Sequence, residues 1–234
     1  MSGMWARKIF AIMSFVATDG ARTFAFPAEP AQDVPSSPTF RESPASNTTA
    51  SVVAKHTRRA IHLAQEGKLA AAIEEISHAV DLAPTDFVPI YNRANFYLRL
   101  GEFTWAIPDL NTAIELNPNF ALAFLNRGIA YSNLGQLDKA LDDLNHAERL
   151  DPSASLVFYN RAIVRGRRRD FDLAIADFTT GLKIEPGDVP ALLGRAVVYE
   201  ALGNTDLARD DYRAAAAADP TNAAAAQALI RLGR

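Results

Sequence analysis

Arginine recurs every 34 residues, at Arg59, Arg93, Arg127, Arg161 and Arg195. An acid follows each one at a fixed spacing of 16: Glu75, Asp109, Asp143, Asp177 and Asp211. A guanidinium is a planar fork that meets a carboxylate through two parallel hydrogen bonds. Two chemistries fit such a series. One is a ladder of cations gripping an anionic ligand. The other is an internal Arg–carboxylate pair in each repeat, tying one helix to the next or one repeat to its neighbour. The acid matched to every arginine favours the internal pair. Three asparagines, Asn92, Asn126 and Asn160, stand immediately before the central arginines, where the ends of the series carry Arg58 and Gly194. Asparagine offers both a donor and an acceptor, so it can pair with a peptide backbone in either sense. It is a poor residue for a helix interior. A series that fades at both ends suits a binding feature; capping of a neighbouring repeat is the alternative.

Little else in the sequence suggests reaction chemistry. There is no phosphate-cradling glycine loop, no GxSxG and no HExxH. The four histidines, His56, His62, His78 and His146, lack a convincing metal spacing. His62 and Glu66, four apart, read as a helix-surface pair. The absence of cysteine excludes disulfides, thiolate metal sites and a cysteine nucleophile. Neither catalysis nor a cofactor or metal is expected. A net charge of −3 on 234 residues gives no general attraction to nucleic acid. Mean hydropathy near zero, −0.04, argues against a chain that crosses a membrane repeatedly.

The elements that must position these residues are read from the period. Five ungapped segments align: 53–86, 87–120, 121–154, 155–188 and 189–222. A proline closes each one, at Pro84, Pro118, Pro152, Pro186 and Pro220. Glycine stands at the fifteenth position as Gly67, Gly101, Gly135 and Gly203, with Arg169 in its place in the fourth segment. Glycine ends a first helix because it takes the left-handed cap without steric cost. Proline stops a second helix because it has no N–H and pushes the residue before it out of helical geometry. Small residues at the eighth, twentieth and twenty-seventh positions let the two helices approach, and large ones at the eleventh, seventeenth and twenty-fourth fill the space beside them. Pro108 falls inside the second helix of its segment and predicts a kink or a late helix start there.

This pattern resembles the tetratricopeptide repeat over 170 of the 234 residues, 53–222. The resemblance implies an all-α fold: a right-handed superhelical solenoid of five helix-turn-helix units, with 223–234 as a C-terminal capping helix. It also implies a concave groove lined by the first helix of each unit. A peptide-binding groove would then use Asn92, Asn126 and Asn160, with Tyr91, Asn95, Leu125, Ile129, Tyr159 and Ile163 around them. Some of those apolar residues must also pack between repeats. The clamp with which some such domains hold an acidic chaperone C-terminus needs Lys and Arg where this chain has Leu156 and Asn160, so that role is rejected. The run RGRRR reads either as a solvated turn or as a patch for an acidic partner or anionic lipid, formed by Arg165, Arg167, Arg168 and Arg169.

The first residues follow the order of a signal peptide: Arg7 and Lys8, the apolar run IFAIMSFVA, then small residues. Residues 1–25 are expected to be that leader, and 26–52 a disordered linker rich in Pro, Ser and Thr. This places the protein in the periplasm or outside the cell, or, with an uncleaved leader, on a membrane. The expected function is a non-catalytic interaction module that binds an extended peptide or a helix of a partner protein in the groove. The alternative is a structural subunit or assembly factor of a cell-envelope complex that uses its convex or end surfaces. The partner class is protein or peptide, without nucleic acid and without a stable membrane span once the leader is removed.

Overall fold

The structure is a computed structural model that describes residues 48–233. The expected leader and the linker up to residue 47 lie outside the described residues. Eleven α-helices are present among them: α1 Thr49–Gln65, α2 Leu69–Leu82, α3 Phe87–Leu100, α4 Phe103–Leu116, α5 Ala121–Asn133, α6 Leu137–Leu150, α7 Ser155–Arg168, α8 Phe171–Ile184, α9 Val189–Ala201, α10 Thr205–Ala218 and α11 Ala223–Arg231. The starts of α3, α5, α7, α9 and α11 are spaced by 34 residues, as are those of α2, α4, α6, α8 and α10. The sequence period is therefore the period of the helices. None of these helices is long and apolar enough to cross a membrane.

The described residues form two compact units, 48–135 and 136–233. In the first, α1 packs on α2, α2 on α3, α3 on α4 and α4 on α5. In the second, the same consecutive packing runs from α6 to α11. The small positions do what their spacing suggested. Ala60, Ala72, Ala79, Ala94, Ala106 and Ala113 in the first unit, and Ala162, Ala174, Ala196, Ala208 and Ala215 in the second, are wholly buried. The large residues at the twenty-fourth position (Ile76, Leu110, Leu144, Phe178, Tyr212) fill the core beside them. Those at the eleventh, such as Tyr97 and Tyr199, are only part buried.

Helix ends depart from expectation at two places. α1 begins at Thr49, so residues 49–52, expected in the linker, are helical. Thr48 caps it, its hydroxyl accepting from the Ser51 N–H at 3.4 Å. At the end of α3 the expected glycine cap forms: Gly101 takes a φ of 77°, and the Gly101 and Glu102 N–H groups return to the Leu98 and Tyr97 carbonyls, both at 2.9 Å. Arg169 closes α7 in the same geometry, with a φ of 69° and the same pair of bonds to Gly166 and Arg165. An L-residue there costs about 1–2 kcal/mol.

The second departure is Pro108, which delays nothing: α4 starts at Phe103, in register with its counterparts, and runs through the proline to Leu116. The missing hydrogen bond would have gone to Thr104, one turn before it. Thr104 is exposed, so water can satisfy that carbonyl. The steric cost of the ring remains. Pro108→Ala is therefore expected to stabilise the first unit by about 1–3 kcal/mol, read as a higher urea midpoint of the helical signal.

Candidate functional site

The arginine series resolves into internal bonds. In α3, Arg93 donates from Nε and Nη2 to Asp109 of α4, both at 2.8 Å. In α9, Arg195 makes the same fork to Asp211 of α10, at 2.8 Å twice. In α7, Arg161 donates to Asp177 of α8 at 3.0 and 2.8 Å, and its Nη1 also reaches Asn145 at 2.9 Å and Glu148. Burial opposes the Arg161 charge, but the Asp177 and Glu148 bonds outweigh it and raise the guanidinium pKa. Arg59 is looser. It stands 3.6 Å from Glu75, which also pairs with His56 at 2.8 Å.

A second set of partners has no signature in the sequence. Each later arginine also reaches back 16 residues into the preceding helix pair. Arg93 donates to Ser77 at 3.4 Å, Arg127 to Asn111 at 2.7 Å, Arg161 to Asn145 at 2.9 Å and Arg195 to Thr179 at 2.9 Å. The acceptors share a position in the period but not a residue type, so no motif marks them. For Arg93, Arg161 and Arg195 the guanidinium is thus a staple between its own helix pair and the one before.

The asparagine series divides. Asn126 is wholly buried in α5. Its Nδ2 donates to the Asn95 Oδ1 at 2.7 Å and to the Tyr91 hydroxyl at 3.1 Å, both on α3, while its Oδ1 has no hydrogen-bond partner. Burial raises the Tyr91 phenol above its ordinary pKa. Tyr91 stacks on Phe87 at 5.5 Å and meets Phe120 edge-on at 5.0 Å. Leu125, Ile129 and Tyr159 are buried as well, Tyr159 against Phe178. Six of the nine expected groove residues (Tyr91, Asn95, Leu125, Asn126, Ile129 and Tyr159) are therefore core.

Asn92, Asn160 and Ile163 keep partial exposure. Asn92 donates to the Val88 carbonyl and Asn160 to the Leu156 carbonyl, each at 2.8 Å. That bond fixes the amide: the N–H₂ side faces the helix backbone and Oδ1 faces away from it. Each unit thus presents one oriented acceptor on a first helix.

The expected basic patch is largely committed internally. Arg165 donates to Asp177 at 2.6 Å, and Arg168 pairs with Asp138 at 2.6 Å and Asp170 at 3.2 Å. Arg167 is half-buried, which lowers its pKa. Arg169 is exposed and held in the left-handed cap. Among the described residues no group of three or more His, Asp or Glu side chains is arranged to hold a metal ion.

Three family profiles, each described as tetratricopeptide repeat, match residues 90–120, 110–142 and 159–223, together just over half of the chain. Solved structures share the fold. A thermophilic TPR protein of Thermus thermophilus is 23% identical over 77% of this chain and 96% of its own, with a TM-score of 0.62. MamA of Desulfovibrio magneticus RS-1 is 12% identical over 75% and 99%, with a TM-score of 0.68. YrrB, described as a TPR protein with an unusual peptide-binding site, is 18% identical over 79% and 98%, with a TM-score of 0.62. At these identities the likeness concerns the fold alone. A comparison with curated protein sequences finds no match.

Proposed function

The chain belongs to the tetratricopeptide repeat family, and on that premise we propose that it is a non-catalytic protein-interaction module, taking an extended peptide or a helix of a partner against its first helices. The observation that carries this reading is the pair Asn92 and Asn160. Both sit in helix interiors, where asparagine is unfavourable. Both spend their N–H₂ on the carbonyl four residues back and so hold Oδ1 ready to accept from a peptide N–H. Partly exposed Ile163 adds an apolar contact beside Asn160. The peptide-binding site in YrrB's description lends the reading a precedent on the same fold. The basic–apolar–small order of the leader supports export of the module to the periplasm or beyond.

Peptides selected from a displayed random library against the wild-type chain test the proposal. Asn92→Ala/Asn160→Ala is expected to weaken the selected peptides about tenfold or more with an unchanged melting temperature, one lost hydrogen bond being worth about 1 kcal/mol. Equal binding to both proteins refutes it. Asn126→Ala belongs outside this test, because it alters the core.

A second reading rests on the outer helices. The nineteenth position carries exposed apolar residues in three segments, Trp105, Leu173 and Leu207, with Trp105 64% exposed. Trp105 in the first unit, and Leu173 and Leu207 in the second, each offer an exposed apolar contact suited to packing on another subunit. Loss of a captured partner on Trp105→Ala, with no effect of the asparagine pair, would select this reading.

A further inference from the structure

The later helix pairs show what the outward face of a first helix normally meets. At the third position they carry Pro89, Ala123, Val157 and Ala191, and at the tenth Phe96, Ala130, Val164 and Val198, all buried. Several of these lie in core clusters with residues of the preceding pair: Phe96 with Ile76 and Ala79, Ala123 with Leu110 and Ala113, Val198 with Phe178 and Leu182. The arginine at the seventh position finds a polar acceptor on that same preceding pair. In α1 the corresponding residues are Lys55, His62 and Arg59, all exposed, with exposed Arg58 beside them. The Arg59 side chain is 67% exposed, against 20% for Arg93, 7% for Arg161 and 18% for Arg195.

Lys55, Arg58, Arg59 and His62 fall at i, i+3, i+4 and i+7, one stripe of the helix. The whole of α1, TASVVAKHTRRAIHLAQ, contains no acid. A terminal repeat needs a polar outer face for solubility, but solubility does not require a single sign of charge, least of all on a chain of net charge −3. The stripe itself is of one sign, with acid partners only outside α1, Glu75 at 3.6 Å from Arg59 and Glu66 at 3.6 Å from His62. Together with an arginine whose counterparts all grip an acceptor presented by a neighbouring helix, it indicates what fits there.

We propose that this face of α1 docks an acidic helix of a partner protein, which takes the place a preceding helix pair takes elsewhere in the fold. Arg59 and Arg58 meet its carboxylates, and Lys55 and His62 flank them. Arg58 stands at the position that carries Asn92 and Asn160 in later pairs, but Lys55, Arg59 and His62 stand at positions that carry no asparagine, and the proposal does not depend on the use of Asn92 or Asn160. A second copy of this chain is a poor occupant through its last helix pair. The ladder position that supplies Ser77, Asn111, Asn145 and Thr179 to the arginines is Arg213 in α10, so arginine would face arginine.

The test is an NMR titration of the ¹⁵N-labelled full chain with a helical Glu-Ala-Ala-Ala repeat peptide, with the Lys version as control. Amide shifts are expected at residues 55–66, to saturate, and to weaken as salt rises. Arg58→Glu/Arg59→Glu should weaken binding by about tenfold or more, because like charges replace complementary ones. Arg168→Glu/Arg169→Glu should leave it unchanged. Circular dichroism verifies that the charge-reversed chains keep their helices, and Lys55→Glu, at the far edge of the stripe, provides an independent smaller loss. Shifts centred on residues 165–169, or no saturation, overturn the proposal. Binding that appears only after deletion of residues 26–47 assigns the face to the chain's own segment and also overturns it. So does a response to phosphatidylglycerol vesicles with none to the peptide.

Discussion

Asp177→Ala is expected to cost about 3–5 kcal/mol, the penalty for stranding a charge whose buried partner has been removed. Asp177 accepts three hydrogen bonds, two from Arg161 and one from Arg165, and both Asp177 and Arg161 are buried. Arg161 cannot shed its proton, because its environment raises a pKa that is already high. With the carboxylate gone, Glu148 and Asn145 are left to hold the guanidinium, and both approach it from the preceding helix, α6. The cost should be graded along the ladder by exposure. Asp109→Ala and Asp211→Ala, facing arginines that are about one-fifth exposed, should lose less. Glu75→Ala, opposite the exposed Arg59, should lose under about 1 kcal/mol. Urea denaturation reads the sum. Hydrogen exchange in α7 and α8 locates it, which matters because repeat arrays need not unfold in one step. Equal small losses at all four sites would return the arginines to the role of a ligand ladder.

The parts of the fold that were legible in the sequence are those that repeat by residue type. Alanine at the twentieth position, proline after each second helix and an acid matched to each arginine all recur as letters, and each has one physical cause. The ladder's second half was hidden because Ser77, Asn111, Asn145 and Thr179 share only an acceptor oxygen. The burial of six of the nine candidate groove residues was hidden for a related reason. Alignment treats Asn92, Asn126 and Asn160 as equivalent, but their surroundings differ. Asn126 faces Tyr91 and Asn95 from the previous first helix, and those two polar groups draw it into the core. Asn92 and Asn160 bond instead to their own helices. RGRRR reads as a solvated turn or a patch for a partner because Asp177, Asp138 and Asp170, which occupy two of its arginines, are distributed over α6, α8 and the turn before α8.

Gly194 shows how packing can imitate the fading of a binding feature. It ends the asparagine series on one side, and the cause is the ring of Phe178. A Cβ at Gly194 would lie 2.5 Å from the Phe178 Cζ and 2.7 Å from Cε1. Phe178 is wholly buried and set edge-on to Tyr159 at 6.1 Å, so its ring has little room to retreat. Gly194→Ala is therefore expected to destabilise the second unit by about 1–3 kcal/mol through overpacking, although alanine in a helix normally gains up to about 1 kcal/mol over glycine. Phe178→Ala is expected to cost more, about 3–5 kcal/mol, since it empties the space of a buried ring. The decisive measurement is the cycle with Phe178→Leu, which removes the ring tip but keeps the core apolar. In that background Gly194→Ala should become neutral or stabilising by about 0.5–1 kcal/mol, reversing its sign. The same cost in both backgrounds would show that the ring is not what excludes a side chain at 194. A reversal would mean that no asparagine could have stood there whatever the groove required, so the end of the series at Gly194 says nothing about where a ligand stops.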